Sequence, residues 1–201
     1  MTEPAIEKWN RAARCLDAAN RGEDARYGVF KRNLFGKAQG KTLLVAAGTG
    51  VDFKYFPDDI ELTAIDFSPV MLEHAQKKVH ECPAPIVLKE ADVTDLEFPD
   101  RHFDTVVTSC TFCSVPDPIK GLKELRRVLK DDGVMLMFEH VRPSNFYLGF
   151  VMDVMNPLVR KLGPDINRRT AENVRAAGFR LTREFNVYLD MVKLCEAVKA
   201  D

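Results

Sequence analysis

The sequence predicts a doubly wound α/β sheet of seven strands, mostly parallel with one antiparallel edge strand, preceded by amphipathic helices. Three observations carry this. From residue 42 onward, short apolar runs alternate with segments of helical period. Those runs are apolar at successive positions, as strands covered on both faces must be. Two of the helical segments open on a capping residue followed by proline, Ser68-Pro69 and Asp117-Pro118. There the side chain can satisfy a free backbone N–H while proline fits the first turn.

The elements follow in order. Pro4 suits a first helical turn, and Ile6, Trp9, Ala13, Leu16 and Asn20 then recur at helical spacing, with Lys8, Arg11 and Arg14 on the other faces. After a break at Gly22, Tyr27, Phe30, Leu34 and Phe35 predict a second amphipathic helix ending at Gly36. Residues 42–47 read as the first strand, a short helix then ends at Pro57, and residues 61–65 form the second strand. The helix opened by Ser68 carries Met71, Leu72, Ala75 and Val79 and runs to about Glu81. Residues 86–88 and 105–109 are the third and fourth strands. The helix opened by Asp117 is stopped by Asp131-Asp132-Gly133, and residues 134–138 make the fifth strand. A helical stretch at about 146–161 and a helix near 170–177 come next. Two strand-like runs, 179–187 and 191–198, lie close enough to form an antiparallel pair.

At 201 residues the chain suits one α/β domain, residues 41–201, behind a helical cap of residues 1–40. A net charge of −1 gives no whole-molecule field for nucleic acid, which is not expected as a partner. The charge is uneven, however. Residues 1–41 carry nine Lys/Arg and five Asp/Glu, net +4, and the remainder is net −5. A basic leading segment on an acidic body is either a solvated helix face or a surface for anionic partners such as membrane headgroups. Met1 is not followed by the apolar stretch of a secretory leader, and no run approaches the length that spans a bilayer. A cytoplasmic protein, with peripheral contact at the inner membrane face, is the expectation. Five cysteines without a disulfide layout suit a reducing compartment. Cys110-Thr111-Phe112-Cys113 reads C-x-x-C, but no second Cys or His pair stands at zinc spacing, and the motif follows a buried run instead of opening a helix. Packing or pocket lining is expected there, and no metal.

The chemistry concentrates at "LLVAAGTGVDF", residues 43–53. A strand running into Gly48-Thr49-Gly50 lets a backbone approach a ligand closely, at the carboxyl end of a strand where such sheets bind ligands. A phosphate-cradling loop needs a Gly-Lys-Ser/Thr sequence, and no such lysine follows Gly50. A dinucleotide fingerprint would put a third glycine where Phe53 stands, and a Tyr-x-x-x-Lys pair is also missing, so an NAD-dependent oxidoreductase is disfavoured. What remains is a glycine turn with a carboxylate, Asp66, at the tip of the next strand and a second, Asp92, after the third. The first can accept hydrogen bonds from ribose hydroxyls and the second can meet an adenine amine beside Val93 or Phe67. Together they suit an adenosine that carries no phosphate.

With "VAAGTG", "TAIDFSPVMLEHA", "ADVTDLEFPDRHFDTVVTSCTFCSVPDP" and "LKELRRVLKDDGVMLMFEH" in this order, residues 40–198 resemble the class I S-adenosylmethionine-dependent methyltransferases. The resemblance implies a Rossmann-like sheet, S-adenosyl-L-methionine as cofactor and S-adenosyl-L-homocysteine as product. It implies that Ala46, Ala47, Gly48, Thr49 and Gly50 line the methionine end of the cofactor and that Asp66 holds its ribose. Phe67, Ser68 and Met71 would border the adenine, Asp92 and Val93 would read its edge, and Cys110 and Thr111 would border the sulfonium. The chain departs from the family at Leu44, commonly an acid, and at Ala46, commonly glycine. A catalytically silent cofactor-binding protein therefore stays open.

"FEHVRP", "NPLVRKLGPDINRRTAENVRAAGF" and "TFCSVPDP" look most like the branch acting on lipophilic acceptors, which includes phospholipid N-methyltransferases, quinone C-methyltransferases and membrane-associated thiol methyltransferases. An amine of phosphatidylethanolamine or a related amino-lipid is the expected acceptor, with a small thiol or a quinone precursor as alternatives. Transfer to such groups demands near-attack geometry with water excluded, and a base only where a proton must leave first. Glu139-His140, at the tip of the fifth strand, supplies the candidate base in His140. Phe112, Phe146 and Tyr147 are candidate walls of an acceptor pocket.

Overall fold

The computed structural model describes residues 6–13 and 22–200. Pro4, Arg14, Leu16 and Asn20 of the expected helix lie outside the described residues. Residues 6–13 are helical (α1), and α2 spans Glu23–Phe35, closing on Gly36 as its spacing predicts. The seven strands are β1 (Lys41–Val45), β2 (Glu61–Asp66), β3 (Ile86–Glu90), β4 (Phe103–Ser109), β5 (Leu129–His140), β6 (Phe179–Tyr188) and β7 (Val192–Lys199). Between them stand α3 (Pro69–Gln76), α4 (Pro118–Val128), α5 (Phe146–Leu162) and α6 (Thr170–Ala176). The strand order is β3-β2-β1-β4-β5-β7-β6. β1 to β5 are parallel, and β7 is the reversed strand, lying inside the edge pair between β5 and β6.

The unbroken apolar strands serve two cores. Leu43, Val45, Val106, Met135 and Met137 face one side with Leu122, Leu125 and Val174 of α4 and α6. Leu44, Val107, Leu136 and Phe138 face the other with Leu34 and Phe35 of α2 and with Phe53 and Ala75. Successive side chains of a strand point to opposite faces, so a strand covered on both carries apolar residues at successive positions. Both capped helices begin as expected: Met71 donates its N–H to Ser68 Oγ at 3.1 Å, and Lys120 donates to Asp117 Oδ1 at 3.0 Å.

Several boundaries differ from the sequence reading, four of them with a visible cause. β1 stops at Val45, because Ala46 turns to φ 55° and leaves the extended region. The short helix before Pro57 is a single 3-10 turn, Phe53–Tyr55. The helix opened by Ser68 ends at Gln76, and Val79–Glu81 make a separate 3-10 turn. Asp131-Asp132-Gly133 lies within β5, whose pairing with β4 passes from Leu129 opposite Phe103 to Val134 opposite Thr105. The intervening residues bulge out, where Asp131 pairs with Arg101 and Lys199.

Candidate functional site

A cavity of about 570 Å³ opens at the carboxyl ends of β1, β2, β4 and β5. It lies at the point where the strand order reverses, between β1 and β4. β1 delivers Ala46 to Thr49, β2 delivers Asp66 and Phe67, and β4 runs out into Ser109 and Cys110. β5 adds Phe138 and His140. The volume falls within the usual range for a small-molecule site, about 300–1,000 Å³.

The glycine turn is held by the next strand. Asp66 Oδ2 accepts the N–H of Gly48 at 2.9 Å, and its Oδ1 accepts the N–H of Ser68 at 2.9 Å. One carboxylate thus ties the turn after β1 to the start of α3. Burial raises the Asp66 pKa above the ordinary carboxylate range, against those backbone hydrogen bonds, which pull it down. Each oxygen keeps a further lone pair, and Asp66 lines the cavity. Gly48 has φ 54°, and a Cβ built on it would meet nothing closer than the Ala46 carbonyl at 3.9 Å. The space beside it is the cavity. Gly50 serves packing instead: a Cβ there would reach Phe53 Cε2 at 2.7 Å and Ala75 Cα at 3.1 Å.

The loop after β4 turns sharply. Cys110 adopts φ 50°, its N–H bonds to the Phe138 carbonyl at 2.7 Å, and Cys113 Sγ donates to the Cys110 carbonyl at 3.0 Å. Below this turn Glu139 is wholly buried. Its carboxylate accepts the Thr108 hydroxyl at 2.7 Å and the N–H groups of Thr111 and Phe112 at 3.2 Å each. Burial pushes its pKa up to about 7 in spite of those donors. Burial likewise pushes the Cys113 thiol up to about 12 and raises Cys110 well above the ordinary thiol value.

His140 borders the cavity, and its pKa lies below the usual histidine value. Desolvation is the main cause, and Lys31 adds to it against the pull of Glu23. The shift favours the neutral imidazole at this exposed position. Of the expected site residues, Ala46, Ala47, Gly48, Thr49, Asp66, Phe67, Met71, Cys110 and His140 line this cavity.

Seven do not. Gly50 is filled by Phe53, and Ser68 spends its side chain capping α3 and on Asn10 of α1. Thr111 is buried with its hydroxyl on the Val45 carbonyl at 3.1 Å. Asp92 Oδ1 accepts the N–H and hydroxyl of Thr94, both at 2.9 Å, and Val93 packs into the core against Gly121. Phe112 is no pocket wall: it is fully buried, its ring packed beside Gly121 and Val115. Tyr147 is no pocket wall either, since it projects to solvent from the first turn of α5 with 78% of its surface exposed.

The sequence reading passed over one wall of the cavity. Glu23, Arg26, Tyr27 and Lys31 of α2 line it, with Asp52 from the loop after the glycine turn. Lys31 is buried among them, 2.6 Å from Glu23 Oε1 and 2.8 Å from Asp52 Oδ1, and lies over the Phe138 ring. Burial alone would lower its pKa, but the two carboxylates outweigh this and hold it above the ordinary lysine value. A signal existed: Lys31 sits within the apolar stripe of Tyr27, Leu34 and Phe35, where a solvated lysine has no place. Trp9 and Ala12 of α1 also face the cavity and Ala13 is buried, so the apolar stripe of α1 is turned inward.

Residues 43–137 match the family model described as a methyltransferase domain. A phosphatidylethanolamine N-methyltransferase of Cereibacter sphaeroides is 36% identical over 103 residues, covering 50% of this chain and 51% of that protein. A ubiquinone/menaquinone biosynthesis C-methyltransferase of Citrifermentans bemidjiense is 35% identical, covering 59% and 52%. A thiol S-methyltransferase of Homo sapiens is 29% identical, covering 74% and 67%. The chain spans about half the length of the first two relatives. Among solved structures, a SAM-dependent methyltransferase from Aquifex aeolicus superposes with a TM-score of 0.67 at 20% identity, over 94% of this chain and 97% of that one. The cyclase SpnF superposes with a TM-score of 0.66 at 17% identity, over 87% and 81%. The fold is shared across both.

Proposed function

We propose that the chain is an S-adenosylmethionine-dependent methyltransferase that transfers a methyl group to a lipophilic acceptor, a reading supported by the methyltransferase-domain match at residues 43–137 and by its relatives. The favoured acceptor is the amine of phosphatidylethanolamine or a related amino-lipid. The observation that carries this reading is the composition of the cavity. A backbone turn and the Asp66 carboxylate form one part, and aromatic and aliphatic side chains with His140 form another.

S-adenosylmethionine, when bound, supplies a methyl group activated on a sulfonium. The residues lining the cavity fit it. Gly48 leaves room for close approach, and the spare lone pairs of Asp66 suit ribose hydroxyls while its other pairs keep the turn in place. Phe67 and Met71 offer apolar surface for a purine. Asp92 and Val93, which do not line the cavity, have no part in this reading. An ammonium acceptor must lose a proton before its lone pair can attack, and His140, whose neutral form is favoured, can take it. Trp9 and Tyr27 exclude water on the side of the two N-terminal helices.

A second reading is favoured by Ala46. Its methyl group and left-handed backbone stand where the resembling family commonly has glycine, which suits a protein that binds the cofactor without turning it over. A labelled-methyl transfer assay on total lipid extract, with small thiols and a quinone precursor in parallel, separates these. Label in an amino-lipid supports the first reading. Label in the thiol or quinone moves the acceptor. Calorimetric binding of S-adenosylmethionine without transfer to any acceptor favours the second reading.

A further inference from the structure

α5 is built inside out. Tyr147, Phe150, Val151, Val154, Met155 and Leu158 lie along its outer side and are between 49% and 78% exposed. Its inner side is polar. Asp153 accepts from Arg142 Nη2 at 2.8 Å and from Asn167 Nδ2 at 3.0 Å. Asn156 donates to Asp165 Oδ1 at 2.9 Å and accepts the Ile166 N–H at 2.8 Å. Gly149 completes that side, where a Cβ would strike the Arg142 guanidinium at 2.5 Å. An ordinary surface helix turns its apolar stripe to the core and its charges to water. Here six large apolar side chains are held in water by a hydrogen-bonded polar seam, an arrangement that calls for an apolar environment outside the protein.

We propose that the outer face of α5 is a membrane-contact surface that lies in the interface of an anionic bilayer. Charge complementarity selects this occupant. The basic residues of the helix, Arg160 and Lys161, are exposed in its last turn, while its one acid, Asp153, is half-exposed and already paired with Arg142 and Asn167. That face offers no carboxylate to receive the basic end of a second copy, whereas anionic headgroups receive it directly. Among the described residues no helix is long and apolar enough to cross a membrane, so α5 lies along the surface. Its end leads into Gly163 and Pro164, which line the cavity beside Trp9, and Lys8 of α1 donates to the Arg160 carbonyl at 2.9 Å. The contact would thus bring the cavity mouth to the lipid surface. This purpose rests on the lipophilic-acceptor reading, but the contact does not.

The test is flotation of the full chain with vesicles of phosphatidylcholine alone or mixed with phosphatidylglycerol, in the absence of any methyl transfer. The wild type should float with the mixed vesicles. The triple variant Val151→Gln, Val154→Gln, Leu158→Gln should lose at least about tenfold in bound fraction, with its circular dichroism unchanged. Lys161→Glu should weaken binding to mixed vesicles at low salt. In a separate variant, Val154→Trp, the emission should shift to the blue on adding mixed vesicles, a readout that does not depend on the triple variant folding. A wild type that does not float, equal flotation of the triple variant, or no spectral shift in Val154→Trp overturns the proposal. So does a wild-type dimer that the triple variant dissolves and that ignores vesicles, which would assign α5 to a second copy. Methyl transfer to a soluble thiol by a protein that still floats would refute the lipid acceptor while leaving the membrane contact intact.

Discussion

Lys31 Nζ stands 2.8 Å from Asp52 Oδ1, joining α2 to the loop after the glycine turn across the wall of the cavity. With Glu23 on its other side, the ammonium is compensated though buried. Lys31→Met removes the cation and leaves two carboxylates facing each other, one of them buried. The expected loss is about 3 kcal/mol of unfolding free energy, the scale for breaking a buried ion pair. Urea denaturation measures it. Asp52→Asn should cost less, since Glu23 still pairs with the lysine, and an equal or larger loss would show that Asp52 acts through other contacts.

Asp66→Ala withdraws acceptors from the N–H groups of Gly48 and Ser68 and from the cavity together. S-adenosylmethionine affinity should fall by about 1.5–3 kcal/mol, the scale of hydrogen bonds to a charged group. Calorimetry reads this. The melting temperature should fall as well, because the turn loses its tie to β2. Unchanged affinity would remove Asp66 from the cofactor site.

Ala46→Gly should stabilise the chain. A non-glycine residue in the left-handed region costs about 1–2 kcal/mol, and glycine loses only about 0.5–1 kcal/mol through its extra freedom when unfolded. At φ 55° the exchange favours glycine. For a chain of this size a gain near 1 kcal/mol raises the melting temperature by about 2–4 °C. A lower melting temperature would mean that the alanine methyl makes a contact worth more than the strain.

Glu139 gives the protein an acid-favouring term. Its folded pKa of about 7 lies above that of a free glutamate, so the folded state holds a proton that the unfolded state releases between about pH 4.5 and 7. Its contribution is full below the unfolded pKa and is lost as pH rises through the folded one. Stability attributable to Glu139 should therefore decline from about pH 4.5 to 7. Glu139→Gln should be less stable overall, since an amide cannot accept all three donors, yet should lack this decline. Denaturation midpoints across that range compare the two, and parallel profiles would locate the titration elsewhere.

His140 sets the acid limb of activity if it takes the acceptor's proton. Because its pKa is depressed, kcat/KM should fall only below the ordinary histidine range as pH drops. His140→Gln should lower kcat by about a hundredfold or more and abolish that limb, with cofactor affinity unchanged. A retained limb would assign it to another group.

Much of this was legible in the sequence because it rests on local rules. Ser68-Pro69 and Asp117-Pro118 announce their helices by capping chemistry, and short strands with apolar residues at successive positions announce a sheet covered on both sides. The glycine turn and Asp66 could be paired because neighbouring parallel strands bring their tips together. Asp92 looked equivalent, but its side chain turns back on Thr94, a choice no spacing reveals. Phe112 and Tyr147 carry the same kind of ring and went opposite ways, one into the core beside Gly121 and one to solvent. The fate of each depends on the direction of its backbone, after a left-handed Cys110 and on the outer side of α5 respectively. Lys31 lies in an amphipathic helix together with Glu23, but Asp52 comes from a separate segment that only the fold brings beside it.

β1 sits at the centre of the sheet, between β2 and β4, yet it is the first strand made. Its partner β4 begins some sixty residues later, so the turn at Gly48 has both its walls only after most of the chain has joined it. Loop closure over such distances must precede the contacts that reward it, and folding rates fall accordingly. A chain interrupted before β4 would hold the glycine motif and Asp66 without the other side of the cavity. The molecule should therefore acquire cofactor affinity late and all at once, and ligand added during refolding should slow unfolding without hastening the first collapse.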